Sequence, residues 1–358
     1  MSILAGDIGG THARLATFEA GEERPRKVRE ETWPSPEYDA LLPILEAYLE
    51  EEDERPGCAC LALAGPVEDG VCRLPNLGWE VDEAELSRET GIGSLRLIND
   101  FDAIGHGILV LEDDSLAVLQ EGEALEGAPI AVVGAGTGLG VGYIDPAARP
   151  PRVYSSEGGH ADFAPRDERE CELARFLAGR HGRASWERVL SGEGLADIYR
   201  WLRGRDPSAE REAVREEMEE DDPAAVVSRH GLAGDDPLSA RALRAFVSAY
   251  GAQAGNLALT FGARGGVFVA GGIAPKILEA LRGGPFLEAF LAKGRMREYV
   301  ADIPVRVVLD EDVGLLGSAA AAASAGSAGG GADGGPDAGG GDPATAGGPS
   351  ASRGSASS

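Results

Sequence analysis

The chain has 358 residues, 43% of them hydrophobic, enough for a sizeable core and long enough to point to two lobes. It carries 33 Lys and Arg against 60 Asp and Glu, a formal charge of −27; a chain so acidic is repelled by nucleic-acid phosphates and anionic lipid, and neither is an expected partner. No apolar run reaches the ~18 residues of a membrane-crossing helix, the N-terminus reads as a strand and not as a signal peptide, and Cys58, Cys60, Cys72 and Cys171 make no disulfide framework in a chain this long. The expected compartment is the cytoplasm.

In chain order, the apolar runs 2–6 and 13–18 flank Gly9-Gly10-Thr11 and read as a β-hairpin. Leu41, Leu42, Ile44, Leu45, Tyr48 and Leu49 fall at helical spacing within 37–50. Residues 58–64 read as a buried strand with Cys58 and Cys60 on one face. Residues 82–90 read as a helix capped by Asp82, and 95–98 as a strand ending at Asn99-Asp100. An amphipathic stretch follows to about residue 111, with Asp102 as its expected cap. A second hairpin is expected from strands 130–133 and 139–144 around a glycine-rich turn at 134–138, which suggests an internal duplication of the unit at 3–18.

Helices are expected at 168–180, 192–203 and 238–262, with a charged stretch at 204–236 in which Glu212 and Arg215 share a solvated helix face. Strand 266–270 runs into Gly271-Gly272 and a helix from about 275. Strand 304–309 precedes an alanine-rich helix from about 313. From residue 323 the chain is Ala, Gly, Ser, Pro and Asp without large apolar residues, and 323–358 is expected to be disordered. The architecture these elements imply is two α/β lobes, each beginning with a hairpin, around a cleft.

Five segments carry chemistry. In D-I-G-G-T-H-A-R (7–14), Gly9 and Gly10 let backbone approach a ligand and Thr11 adds a hydroxyl. Asp7, at the strand end, is placed to hold a hydrated Mg²⁺. G-A-G-T-G-L-G (134–140) sets Gly136, Thr137 and Gly138 in an anion-cradling loop. A strand follows this loop instead of a helix, which excludes a dinucleotide fingerprint, and no Gly-Lys-Ser/Thr is present for a Walker A loop. In I-N-D-F-D (98–102), Asp100 at a cleft edge is placed to accept a hydroxyl proton and Asn99 to hold a neighbouring hydroxyl, with an Asx-type helix cap as the alternative. In E-G-G-H-A-D-F (157–163), Glu157 and His160 suit vicinal hydroxyls, with metal ligation as the competing reading. In A-G-G-I-A-P (270–275), Gly271 and Gly272 allow backbone to lie flat against a base or sugar.

Together with E-R-V-L-S-G-E-G-L (187–195), G-N-L-A-L (255–259) and G-G-V-F-V-A-G-G-I-A-P (265–275), these segments stand in the order and spacing of a family. Over about residues 3–320 the chain resembles the bacterial glucokinases of the hexokinase–actin ATPase superfamily. The resemblance implies a two-lobed actin-like ATPase fold with duplicated ribonuclease-H-like lobes and a central cleft. The small lobe is expected at 1–110 plus 301–322, and the large lobe at 111–300. The resemblance implies ATP-dependent phosphorylation of glucose at its 6-hydroxyl, with Asp100 as base and Asn99, Asp100, Glu157, His160 and Glu187 holding the sugar. Residues 7–11 and 134–138 would cradle the phosphates, Gly271 and Gly272 would line the adenosine pocket, and a homodimer is expected. Glu187 enters by resemblance alone. One departure is His12, where the family often has Asn. No cysteine cluster follows His160 and no helix-turn-helix precedes residue 3, which separates the chain from the related repressor-and-kinase branch. A kinase for another hexose and a non-catalytic sugar sensor are the alternatives.

Overall fold

A computed structural model describes residues 1–21 and 24–329, the side chains of 326–329 excepted. The chain opens with β1 (Ser2–Ile8), β2 (His12–Glu19) and β3 (Arg26–Pro34), followed by α1 (Leu42–Glu50) and β4 (Cys58–Leu63). The short strands β5 (Val67–Glu68), β6 (Val71–Leu74) and β7 (Trp79–Asp82) precede α2 (Glu83–Thr90), β8 (Leu95–Asn99) and α3 (Asp100–Ile108). Next come β9 (Leu116–Gln120), β10 (Ile130–Ala135), β11 (Leu139–Asp145) and β12 (Arg152–Ser156), then the helices α4 (Glu168–His181), α5 (Gly192–Arg205), α6 (Glu212–Glu220), α7 (Pro223–Ala233) and α8 (Pro237–Thr260). The chain continues through β13 (Gly266–Ala270), α9 (Leu278–Arg282), α10 (Pro285–Leu291), α11 (Arg297–Ala301), β14 (Val305–Val308) and α12 (Val313–Gly329). None of these helices is long and apolar enough to cross a membrane.

The duplication read from two hairpins extends to whole sheets. One sheet has the order β3-β2-β1-β4-β8 and the other β12-β11-β10-β13-β14, with β9 added at the β14 edge. In both, the first two pairings are antiparallel and the next two parallel. Parallel strands need crossover connections, which put helices on the sheet faces and make the central strands apolar throughout. All six residues of β4 and all five of β13 are buried accordingly. In β4, Ala59 and Leu61 pack into one core while Cys58 and Cys60 pack with Ile3 and Ala5 into another, as their alternation predicts. A separate sheet, β5-β6-β7, forms a flap beside the first.

Several boundaries differ from the sequence reading, each for an identifiable reason. The first helix starts at Leu42, with Pro43 in its opening turn, because proline is tolerated there and not inside a helix starting at residue 37. β3 escapes detection because R-K-V-R-E-E-T-W-P is an edge strand whose charges pair on its surface. The charged stretch at 204–236 folds into α6 and α7, and Glu212 and Arg215 do pair, at 3.2 Å. β14 lies in the second sheet, so the chain returns to the first lobe after Val308 and not at residue 301. The last helix continues through 323–329, into the segment expected to be disordered; that expectation for 330–358 falls outside the described residues.

Two helices join the lobes. α3 starts at the end of β8 in the first sheet and lays Phe101 and Gly105 on β10–β12 of the second. α12 leaves β14 of the second sheet and packs on the first, where Ser318 Oγ donates to the Gly6 carbonyl at 3.1 Å. The two helices pack backbone against backbone. A Cβ at Gly317 would overlap the Ala103 carbonyl oxygen, and one at Gly107 would overlap the Val313 carbonyl. We expect Gly317→Val to force these backbones apart and lower stability by at least about 1–3 kcal/mol. Urea unfolding measures this, and an unchanged midpoint would show that the crossing tolerates expansion.

Candidate active site

Asp7 sits near the end of β1, and Asn99 and Asp100 at the end of β8, in the same sheet with β4 between them. Parallel strands deliver their C-terminal ends to one edge, so these polar residues gather there. Asn99 is the N-cap of α3: its side-chain oxygen accepts from the Phe101 N–H at 2.9 Å and its amide donates to the Gly65 carbonyl at 2.9 Å. The Asx cap is therefore formed, and one amide hydrogen is left over. Asp102, expected to cap the helix, instead accepts from the Ser155 N–H of β12 at 2.8 Å and ties the two lobes.

Burial pushes the Asp100 carboxyl up to about 6, and the neighbouring Asp7 carboxylate adds to the rise. Asp7 is itself raised, mainly by burial and then by Asp312 and Glu30, while Arg14 opposes the shift. Arg14 and Lys27 both pair with Glu30 and with Asp312, which precedes α12. This ion-pair network flanks Asp7 at the point where the chain crosses between lobes. No local pattern points to it, since Asp312 lies almost 300 residues from Arg14 and Lys27.

The β1–β2 turn is closed by the Gly9 N–H donating to the His12 carbonyl at 2.9 Å, and Ser35 Oγ fastens it through the Gly9 carbonyl at 2.8 Å. Thr11 and His12 are exposed there. The matching β10–β11 turn is closed by the Gly136 N–H to the Gly138 carbonyl, 2.9 Å, with Thr137 exposed at its tip. It is anchored by the Gly192 N–H of α5 on the Gly136 carbonyl, 3.0 Å. Gly271 adopts φ +80°, and a Cβ there would lie 2.6 Å from the Ala135 carbonyl oxygen, so only glycine brings Gly271-Gly272 this close to the turn. The Phe101 ring, one residue from Asp100, fills the space above Gly134, Gly140 and Gly142, which holds the catalytic candidate against the phosphate-type hairpin.

Glu157, His160 and Glu187 converge. The His160 ring nitrogens lie 3.6 Å from a carboxylate oxygen of Glu157 and 3.6 Å from one of Glu187. The Glu187 N–H donates to the Gly159 carbonyl at 2.8 Å, and its second carboxylate oxygen accepts from the Leu139 N–H at 3.1 Å. His160 and Glu157 remain open, 57% and 76% exposed. Asn99 and Glu157 face one another across a cavity of about 650 Å³ that the flap strand β5 also lines. Among the described residues, the ligand atoms close enough together to share one ion are those of His181, Glu193 and Asp197, outside this set.

Tyr250 was invisible to sequence reasoning. From the middle of α8 its buried hydroxyl accepts from the Ala135 N–H at 3.0 Å, and the Val133 and Ala270 carbonyls lie 3.4 and 3.3 Å away, where β10 and β13 separate toward the glycine turns. An apolar helix position offers no signal for such a role. Tyr250→Phe strands a buried donor, and we expect it to cost about 1–3 kcal/mol in urea unfolding; a neutral result would mean that another acceptor replaces the hydroxyl.

The paired sheets form an actin-like two-lobed fold with carboxylates at the strand ends of the first sheet. A family profile described as Glucokinase matches residues 4–325. A glucokinase of Nostoc sp. (strain PCC 7120) is 42% identical over 337 residues, covering 90% of this chain and 98% of its own. The crystal structure of a glucokinase from an Antarctic psychrotroph, 33% identical, superposes with a TM-score of 0.80 over 90% of this chain and 98% of its own. A Streptomyces griseus ROK family glucokinase, solved with glucose and AMPPNP, shares the fold at 21% identity and a TM-score of 0.62, over 90% and 99%. The chain belongs to the glucokinase family.

Proposed function

We propose that the protein transfers the γ-phosphoryl group of ATP to the 6-hydroxyl of glucose, with Asp100 as the general base. The observation that carries the reading is the position and state of Asp100. It is a half-buried carboxyl near pH 6 at the helix start that bridges the lobes, coupled to Asp7 and backed by Phe101 on the β10–β11 hairpin. A base with such a value is largely ionised at neutral pH yet basic enough to take a hydroxyl proton. The relatives' names support glucose as the substrate, and the fold-sharing S. griseus enzyme holds glucose with an ATP analogue.

In this reading the sugar lies in the cavity between Asn99 and Glu157, held also by His160 and Glu187. Asp100 takes the proton of the 6-hydroxyl as that oxygen attacks the γ-phosphorus. Backbone N–H groups of 9–11 and 136–138 hold the phosphates, and Gly271-Gly272 lies against the adenosine. Phosphoryl transfer asks chiefly for such positioning and charge neutralisation. Asp7 fits a magnesium ion. It is a hard oxygen donor in an anionic neighbourhood, and Gly314 leaves open the space 3.6 Å from its Oδ2 that a side chain would enter. When bound, the ion neutralises charge on the phosphates. The exposed His160 and Glu157 fit an open state, and closure of a small lobe (1–110 with α12) on a large one (111–308) would exclude water. A cytoplasmic homodimer completes the proposal, on family likeness.

In a coupled assay with Mg-ATP and a panel of hexoses, glucose is expected to give the highest kcat/KM. Asp100→Asn is expected to lower kcat by about 10²–10⁴-fold with sugar binding retained. Turnover of every hexose at background would favour a sensor, and a different best hexose would reassign the substrate. The raised Asp100 value sets the pH dependence. The ionised form is the active one, so kcat/KM should hold above about pH 6 and fall roughly tenfold per unit well below it. A profile flat down to pH 4.5 would remove Asp100 from the base role.

A further inference from the structure

Away from the cleft, α4, α5 and α8 enclose a second cavity of about 580 Å³. Its walls carry Arg166, Arg169, Arg205, Arg241 and Arg244, an unusual concentration in a chain of net charge −27. The acidic groups nearby are already committed. Glu170 takes Arg166 in a two-oxygen pairing at 2.9 and 3.0 Å. Asp167 caps α4 by accepting from the Glu170 N–H at 2.9 Å. Asp206 lies 3.5 Å from Arg241, and Glu172 pairs with Arg205. Arg169 and Arg244 have no carboxylate partner among the described residues.

The remaining wall is apolar. Leu173, Leu202 and Phe163 are buried along the floor, and Trp201 is half-buried under the Arg205 guanidinium, 5.5 Å from its ring centroid. Ser248 adds a hydroxyl that accepts from Arg166 at 3.0 Å. Planar guanidinium forks match the oxygens of a phosphate, and the flat apolar floor suits a carbon skeleton. We propose that this arginine-lined cavity is a binding site for a small phosphorylated metabolite, distinct from the cleft. Phe163 packs edge-on against Trp186 at 5.0 Å, and Trp186 adjoins Glu187, so the floor of the cavity and the sugar-side cluster share a wall.

The test is calorimetric titration of the full chain, at fixed ionic strength, with 3-phosphoglycerate, phosphoenolpyruvate, inorganic phosphate and sulfate. At least one phosphate ester is expected to bind with a submillimolar Kd and more tightly than sulfate. The double variant Arg169→Ala/Arg244→Ala should weaken that binding by at least about tenfold, because charge-assisted hydrogen bonds are lost. Arg169→Lys/Arg244→Lys should fall between. Basal turnover should be unchanged, since neither side chain lies in the cleft. No binding by any ester, equal binding of sulfate, or full binding by the alanine variant would overturn the proposal. So would an alanine variant that dissociates into a smaller species in sedimentation, which would identify the cavity as a contact between copies of this chain.

Discussion

The crossing of α3 and α12 is the constraint on which the rest of the molecule depends. The chain passes between its two sheets on these helices, and they meet backbone to backbone because Gly107 and Gly317 present no side chain. Each helix also carries a chemical group at its origin. α3 begins at Asp100, and α12 follows Asp312, which is held by Arg14 and Lys27. α3 packs on both sheets, so Asp100 is held at the contact between the lobes. Close-packed backbones leave no slack at this contact, so a side chain added at Gly107 or Gly317 is felt by both helices.

Electrostatics reinforce that arrangement. Asp7, Asp100, Asp312 and Glu30 gather carboxylates near the end of β1, and Arg14 and Lys27 offset them. The protein has three lysines, and one of them, Lys293, is driven down to about 8 by burial and by nearby Arg166, holding the Asn256 side chain at 2.7 Å instead of facing solvent.

What the sequence revealed and what it hid follow from the same physics. The glycine turns, the strand-end Asp100 and the doubled hairpin were legible because they impose rare residue types at fixed offsets. The full sheet duplication was not, since its outer strands β3 and β12 are a charged and a short edge strand without a clear apolar signal. Helix α1 was read too long because periodicity alone ignores Pro43. Phe101 and Tyr250 look like ordinary core residues, and their roles arise only from what lies opposite them: three glycines in one case and a bare Ala135 N–H in the other. Asn99 shows the limit from the other side: its side chain caps α3 through the Phe101 N–H, while its amide donates to the Gly65 carbonyl, a partner no local pattern indicates.

Glu187 carries a consequence for how the substrates would meet. One of its oxygens holds the Leu139 N–H beside the glycine turn, and the other faces His160. On the proposed roles, a single carboxylate is therefore shared by the sugar half and the nucleotide half of the cleft. A sugar that draws Glu187 toward itself re-aims the turn, and a nucleotide that reshapes the turn re-aims Glu187. Thermodynamic reciprocity then obliges each substrate to alter the other's affinity by one common factor, whichever of the two arrives first.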